Sequence, residues 1–302
     1  MENYFTTLDY QELLKVSGED SEKFLQGQLT CDLEKFDNDQ WMLGAACNTK
    51  GRVYSSFRIL KTAETFYLAM QPGVLEQTQA TLKKFIPFYK AELIESAGAF
   101  NRYGLWGKDI PSVLETQFPH LPPPGQAASN DNAILLCLDG ENSRYELWVK
   151  QDSEFSFDSL TGLTEKRPEF WQELDLDAGI FLIGKDDIEQ YTPEEASMDL
   201  VNFVSFEKGC YTGQEIVARM HYKGKGLKRL HLVTFSSSDA ISSGQLVNSE
   251  GKQLGVLTNV ISLEDNLQKG FAVLKSDIVI GNDIFLDNAG EHIPVLIQSF
   301  AD

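Results

Sequence analysis

Every apolar run in this chain is short. The longest, such as residues 133–138 and 180–183, fall well below the roughly 20 residues of a bilayer-spanning helix. Runs of this size build strands or modest helices. Strand-like runs at 12–16, 42–47, 53–60 and 65–70 stand out by their aliphatic and aromatic content. Between the first two, Ser17-Gly18-Glu19-Asp20-Ser21-Glu22 offers cap residues and first-turn acids to a helix carrying Phe24 and Leu25. A helix over 74–85 follows Pro72-Gly73 and is closed by Pro87. The middle of the chain repeats the theme, with strands at 103–106, 134–138 and 145–149 and a helix over 110–118. Such alternation predicts α+β units with antiparallel sheets. Residues 119–132 form the clearest loop, with three prolines at Pro122, Pro123 and Pro124 before Gly125. From Leu230 onward helical periodicity disappears. Strand-like runs at 230–235, 255–261, 270–274 and 293–297, punctuated by Ser-Gly, Asp-Asn and Gly-Asn turns, predict a small β-barrel.

A length of 302 residues exceeds a typical single domain and implies two or three compact units. The balance of 45 acidic against 26 basic residues, net −19, argues against broad binding to nucleic acid or to an anionic membrane. Cys31, Cys47, Cys137 and Cys210 are too far apart in sequence for a metal knuckle or a redox dithiol, and four histidines make a His-rich metal site improbable. No metal is therefore expected. The chain has no phosphate-binding glycine loop, zinc-protease signature or serine-hydrolase elbow. Residues 1–9 are polar and acidic, unlike a signal peptide, and a reducing cytoplasm is the expected compartment. A monomer without membrane attachment is expected.

One segment stands apart: Lys208-Gly209-Cys210-Tyr211-Thr212-Gly213-Gln214-Glu215. Two glycines bracket a Cys-Tyr pair, and a helix-like stretch begins after Gly213. Glycine there permits a tight loop or the close approach of another molecule. A thiol just before a helix and two residues from Lys208 is a candidate nucleophile, redox group or metal ligand. The competing reading is a buried structural cysteine at a turn. A second feature follows directly. Residues 216–238 carry Arg219, Lys223, Lys225, Lys228 and Arg229, with His221 and His231, and contain no acid. This basic connector can grip a small anionic tail or the phosphates of an RNA, or can simply be a solvated linker.

The octapeptide resembles the signature of the YgfZ family. Gln26-Gly27-Gln28-Leu29-Thr30-Cys31-Asp32 is similar to that family's N-terminal element. Leu176-Asp177-Ala178-Gly179-Ile180, Asp186-Asp187-Ile188 and Thr192-Pro193-Glu194-Glu195-Ala196 resemble the block it shares with the glycine-cleavage T-protein, and Gly255-Val256-Leu257-Thr258-Asn259-Val260 its barrel strand. The resemblance implies two interlocked ferredoxin-like α+β domains within 1–225, their boundary near the 119–132 loop, and a β-barrel over 226–302, arranged around a folate-binding channel. It also implies a tetrahydrofolate or related reduced folate as ligand. Trp171 would stack on the pterin, Asp177 would accept from it, and Tyr10, Tyr211 and Arg219 would be further contacts. An aspartate of the T-protein has no counterpart in Thr49-Lys50-Gly51-Arg52-Val53-Tyr54-Ser55-Ser56-Phe57, which lacks a carboxylate, so aminomethyl transfer is not expected. For Trp171 the plain alternative is a core aromatic, and for Asp177 an ordinary exposed helix acid.

The function these readings imply is a folate-binding accessory protein. It would support iron–sulfur enzymes or their assembly proteins, and through them tRNA modification, with Cys210 and Lys208 as its reactive pair. A folate-dependent one-carbon transferase or demethylase using Cys210, and a module contacting tRNA directly, are the alternatives.

Overall fold

The computed structural model describes residues 2–37, 40–63, 65–96, 98–139, 143–223, 228–275, 284–288 and 290–300. They fold into three largely antiparallel sheets with few, short helices, the α+β class read from the sequence. Among the described residues no helix is long and apolar enough to cross a membrane. The chain divides into two compact units, one of residues 1–28, 32–44 and 57–168, the other of 29–31, 45–56 and 169–302.

The first unit contains a six-stranded sheet in the order Leu163–Glu165, Asn3–Thr7, Phe100–Trp106, Arg144–Lys150, Ala133–Asp139 and Ala127–Ser129. The strands Ala133–Asp139 and Arg144–Lys150 are buried on both faces; on one, Leu105, Ala133, Leu135, Cys137, Tyr145, Leu147 and Val149 pack with the helix Ile110–Leu114. A second apolar cluster joins Leu13, Leu60, Ala69, Ile134 and Leu136 to Trp148. Into it the chain buries a polar group: Arg58 and Glu146, both fully covered, form an ion pair, and Trp148 Nε1 donates to the other Glu146 oxygen at 2.9 Å. Arg102 lies 5.4 Å from the Trp148 ring and donates to the Leu8 and Gln11 carbonyls.

The strands Trp41–Cys47, Val53–Thr62, Thr65–Met70, Glu12–Ser17 and Glu92–Glu95 make a five-stranded sheet. The four expected from composition are all present. The helix expected over 74–85 stops at Leu82, because Pro87 sits inside a separate turn of 3-10 helix, Ile86–Phe88.

The second unit is dominated by a seven-stranded sheet, ordered Glu291–Pro294, Ile284–Asn288, Gly244–Asn248, Gln253–Ser262, Leu267–Lys275, Lys228–Ser236 and Leu296–Ser299. Its two edge strands are separated in sequence by Val295 alone. The sheet therefore curls until its edges meet, which is the barrel-like form expected for this region. Val233, Phe235, Leu246, Leu257, Ala272, Leu274 and Leu286 fill its interior.

Candidate functional site

The loop that carries Cys210 is held from beneath by a chain segment almost 180 positions earlier. Lys208 is 7% exposed, and its ammonium donates to the carbonyls of Leu29 and Cys31 at 2.6 and 2.7 Å. Thr30, between them, donates to the Phe203 carbonyl at 2.6 Å, and its carbonyl accepts from the Ser205 amide at 2.9 Å. Residues 29–31, inside one of the stretches singled out in the sequence, and the 208–215 loop thus form one structure. Tyr211 packs inward, its ring 5.1 Å from the Lys208 ammonium; burial, with Cys47 and Cys31 nearby, pushes its hydroxyl's pKa upward, so it stays neutral.

Gly213 has φ +87°, and a Cβ there would lie 2.4 Å from the Asn48 carbonyl oxygen. Only glycine lets the loop turn against the 48–51 bend and enter the helix Gln214–Lys223. Gly51 packs from the other side, where a Cβ would meet Ile216 at 2.9 Å. Gly209 has open space around it. With Lys208 and Tyr211 turned in, Gly209 and Cys210 face out. Cys210 is the one exposed cysteine of the four. Cys47, by contrast, is 1% exposed and pushed up to about 12 by burial.

Through these bonds Lys208 holds the loop in shape. The sequence placed it beside Cys210 as a reactive partner; in the structure its ammonium donates to two backbone carbonyls. Replacing it with methionine removes the donor that those two carbonyls share. Lys208→Met is expected to cost about 1.5–3 kcal/mol, the range of a charge-assisted hydrogen bond, read as a lower midpoint in urea denaturation.

Downstream, the helix presents an aromatic corner. The Phe206 and His221 rings stack at 3.7 Å and 16°, and Tyr222, 68% exposed, stands edge-on to both. Arg219, one turn before Tyr222 on this helix, is exposed and makes no hydrogen bond or ion pair with a described residue. The rest of the basic connector is less uniform than its sequence. Arg229 is tied to Asp199 at 2.6 Å and lies 3.6 Å from Glu194, and His231 is buried. Lys225 falls outside the described residues, and Lys228 is exposed.

Trp171 and Asp177 share the helix Pro168–Asp177. Trp171 is fully buried, a core position. Asp177 ends the helix with its side chain 48% exposed, 2.5 Å from Lys269, which also binds Glu173 at 3.0 Å. Burial pushes the Lys269 pKa down, but its bonds to Asp177 and Glu173 more than offset this and leave it raised. Lys269 had no signal in the sequence, since its partners lie over 90 positions away. Tyr10 belongs to the first unit, at the turn before the strand Glu12–Ser17.

The carboxylate-free stretch serves the backbone. The Ser56 hydroxyl, fully buried, accepts from the Ile183 amide at 2.7 Å, and Arg52 reaches the Gln190 carbonyl and the Glu195 carboxylate, both at 2.7 Å. The 52–56 strand end thereby fixes the 181–195 segment.

No family model matches the chain. It is 30% identical over 258 residues to the tRNA-modifying protein YgfZ of Colwellia psychrerythraea, covering 84% of this chain and 78% of that protein. With the tRNA-modifying protein YgfZ of Photorhabdus laumondii it shares 31% identity over 240 residues, covering 79% and 73% of the two. The same-named protein of Escherichia coli O157:H7 is 29% identical over 93% of this chain and 86% of its own length. Among solved structures, the glycine cleavage system aminomethyltransferase T of Bartonella henselae superimposes over 99% of this chain and 86% of its own, with a TM-score of 0.80 at 18% identity. That likeness shows the fold: the chain has the T-protein architecture.

Proposed function

Because the chain belongs to the YgfZ family, whose curated members are named tRNA-modifying proteins, we propose that it is a cytoplasmic, folate-binding accessory protein that supports iron–sulfur enzymes and thereby tRNA modification. The observation that carries this reading is the presentation of Cys210. A buried lysine clamp, a buried tyrosine and a glycine hinge together hold one exposed thiol outward. Such investment in placing a thiol suits a nucleophile or a ligand for sulfur or iron.

For the pterin, Asp177 fits the acceptor role. Its side chain is half exposed, and the neighbouring Lys269 orients it through an ion pair. Trp171 supports that helix from inside the core; to stack on a ligand its ring would have to be uncovered. Arg219, exposed and without a described partner, is suited to an anionic tail.

The test is calorimetry with tetrahydrofolate. Saturable binding is expected, weakened about tenfold by Asp177→Asn, the effect of one charge-assisted hydrogen bond. Trp171→Phe is the informative variant at the other position, because Trp171→Ala would empty a core site and cost several kcal/mol, about 3–5, on its own. Absence of saturable binding by any reduced folate would remove the central claim.

The aromatic corner favours a second reading, direct contact with RNA. Unpaired bases stack on exposed aromatic rings, and Arg219 stands one turn away. Steeply salt-dependent tRNA binding lost in Tyr222→Ala would support it.

A further inference from the structure

In the curled sheet, the first residue of the strand Lys228–Ser236 is paired directly with the last residue of Leu267–Lys275, so that Lys228 faces Lys275. Directly opposed residues of an antiparallel pair project to the same side, and like charges there repel. Both lysines are exposed, and neither makes an ion pair with a described residue. In a chain of net −19, a pair of cations in direct opposition that no described residue neutralises calls for an anion.

The two lysines line a cavity of about 190 Å³ in the second unit, together with Gln253, Tyr191, Val256 and Val273. Among the described residues no carboxylate lines it. Burial, with Asp187 and Glu195 nearby, pushes the Tyr191 hydroxyl up to about 12, so it remains a protonated donor at neutral pH. The Gln253 amide is a further donor. Asp187 itself is engaged elsewhere, accepting from Thr258 at 2.6 Å and from the Gly184 amide at 3.1 Å. The volume lies below the roughly 300–1,000 Å³ of sites for drug-sized ligands, and at about 30 Å³ per water it holds a small anion with a few waters.

We infer that this cavity, at the junction of the basic connector and the curled sheet, is a binding site for a phosphate group. Two ammonium groups match the two charges of a phosphate monoester, and the hydroxyl and amide supply neutral donors to its remaining oxygens. The inference is independent of folate binding, since none of these residues belongs to the Cys210 loop or to the Trp171–Asp177 helix.

The test uses the full chain, titrated with inorganic phosphate and with pyrophosphate at constant ionic strength set by sodium chloride, and followed by calorimetry and thermal melting. Glutarate, a dicarboxylate of equal charge, separates phosphate from paired carboxylates as the source of the anion. Phosphate is expected to bind saturably and more tightly than glutarate. Lys228→Gln and Lys275→Gln should each weaken it about tenfold, while Lys252→Gln, an exposed lysine outside the cavity, should not. Without phosphate, both variants should melt no lower than the parent, because a repulsion has been removed; this readout also shows that they fold. Phosphate binding unchanged in the Lys228→Gln/Lys275→Gln double variant would overturn the inference, as would equal or tighter binding of glutarate. Loss of any saturable signal at constant ionic strength in the parent protein would do the same.

Discussion

Glu146→Gln is expected to be among the most destabilising conservative substitutions in the chain. Its carboxylate is fully buried, paired with the equally buried Arg58 through one oxygen and accepting from Trp148 Nε1 through the other. Arg102 lies against the same indole and is pushed down by burial, with Glu146 holding it up. Neutralising Glu146 thus leaves two cations in an apolar setting without their counter-charge. Breaking a buried pair from one side costs about 3–5 kcal/mol, which urea denaturation followed by tryptophan fluorescence will read as a large fall in midpoint. Arg58→Met should cost a similar amount. The double variant Arg58→Met/Glu146→Leu should recover much of the loss, because apolar side chains of similar volume often replace a buried pair at little net cost. The residual penalty is then the unpaired Trp148 Nε1, about 1–3 kcal/mol. A loss below about 1 kcal/mol in Glu146→Gln would mean that solvent reaches the pair.

That pair was invisible in the sequence, and the reason is general to this fold. Strands with a steady apolar content, such as Val53–Thr62 and Thr65–Met70, announce themselves by composition, and the curled sheet followed from the loss of helical period after Leu230. The strand Asn3–Thr7 did not, although it sits inside the six-stranded sheet. Its residues are mostly polar or aromatic, and its place is fixed by pairing with Phe100–Trp106 and Leu163–Glu165. Leu163–Glu165 and Ala127–Ser129 are three-residue strands, too short for any period. The expected strand over 293–297 is really two, broken at Val295, where the curled sheet changes edge. Register of this kind is a long-range property that composition does not encode.

The site divides in the same way. Gly213 and the helix after it were legible, because glycine before a helix start is a local signal, and the structure gives it a steric reason at Asn48. The role of Lys208 was not. Its partners are backbone carbonyls, which every residue possesses, so nothing in the identities of Leu29 and Cys31 marks them as acceptors. Arg229 likewise reads as part of a free basic strip until Glu194 and Asp199 are brought to it. Charge runs report composition, whereas neutralisation happens across the fold.

Cys210→Ser is expected to separate stability from function more completely than any other single change here. The side chain is exposed and has no hydrogen bond to a described residue, so exchanging sulfur for oxygen should move stability by no more than about 0.5 kcal/mol. Lys208→Met provides the contrast, since it should lower stability while leaving the thiol in place. Limiting iodoacetamide on the folded protein should modify Cys210 first, read by peptide mass, because Cys31, Cys47 and Cys137 are each no more than 3% exposed. In cells that lack their own family member and show a defect in tRNA thiomethylation, the parent chain should restore the modification and Cys210→Ser should not. The arrangement of the loop makes this a demanding test. Its clamp, its buried tyrosine and its glycine hinge remain intact in the serine variant, so any loss of function belongs to the sulfur itself. Full restoration by Cys210→Ser would reduce the cysteine to a surface residue of a structural loop. The functional reading would then have to rest on Asp177, Arg219 and the aromatic corner formed by Phe206, His221 and Tyr222.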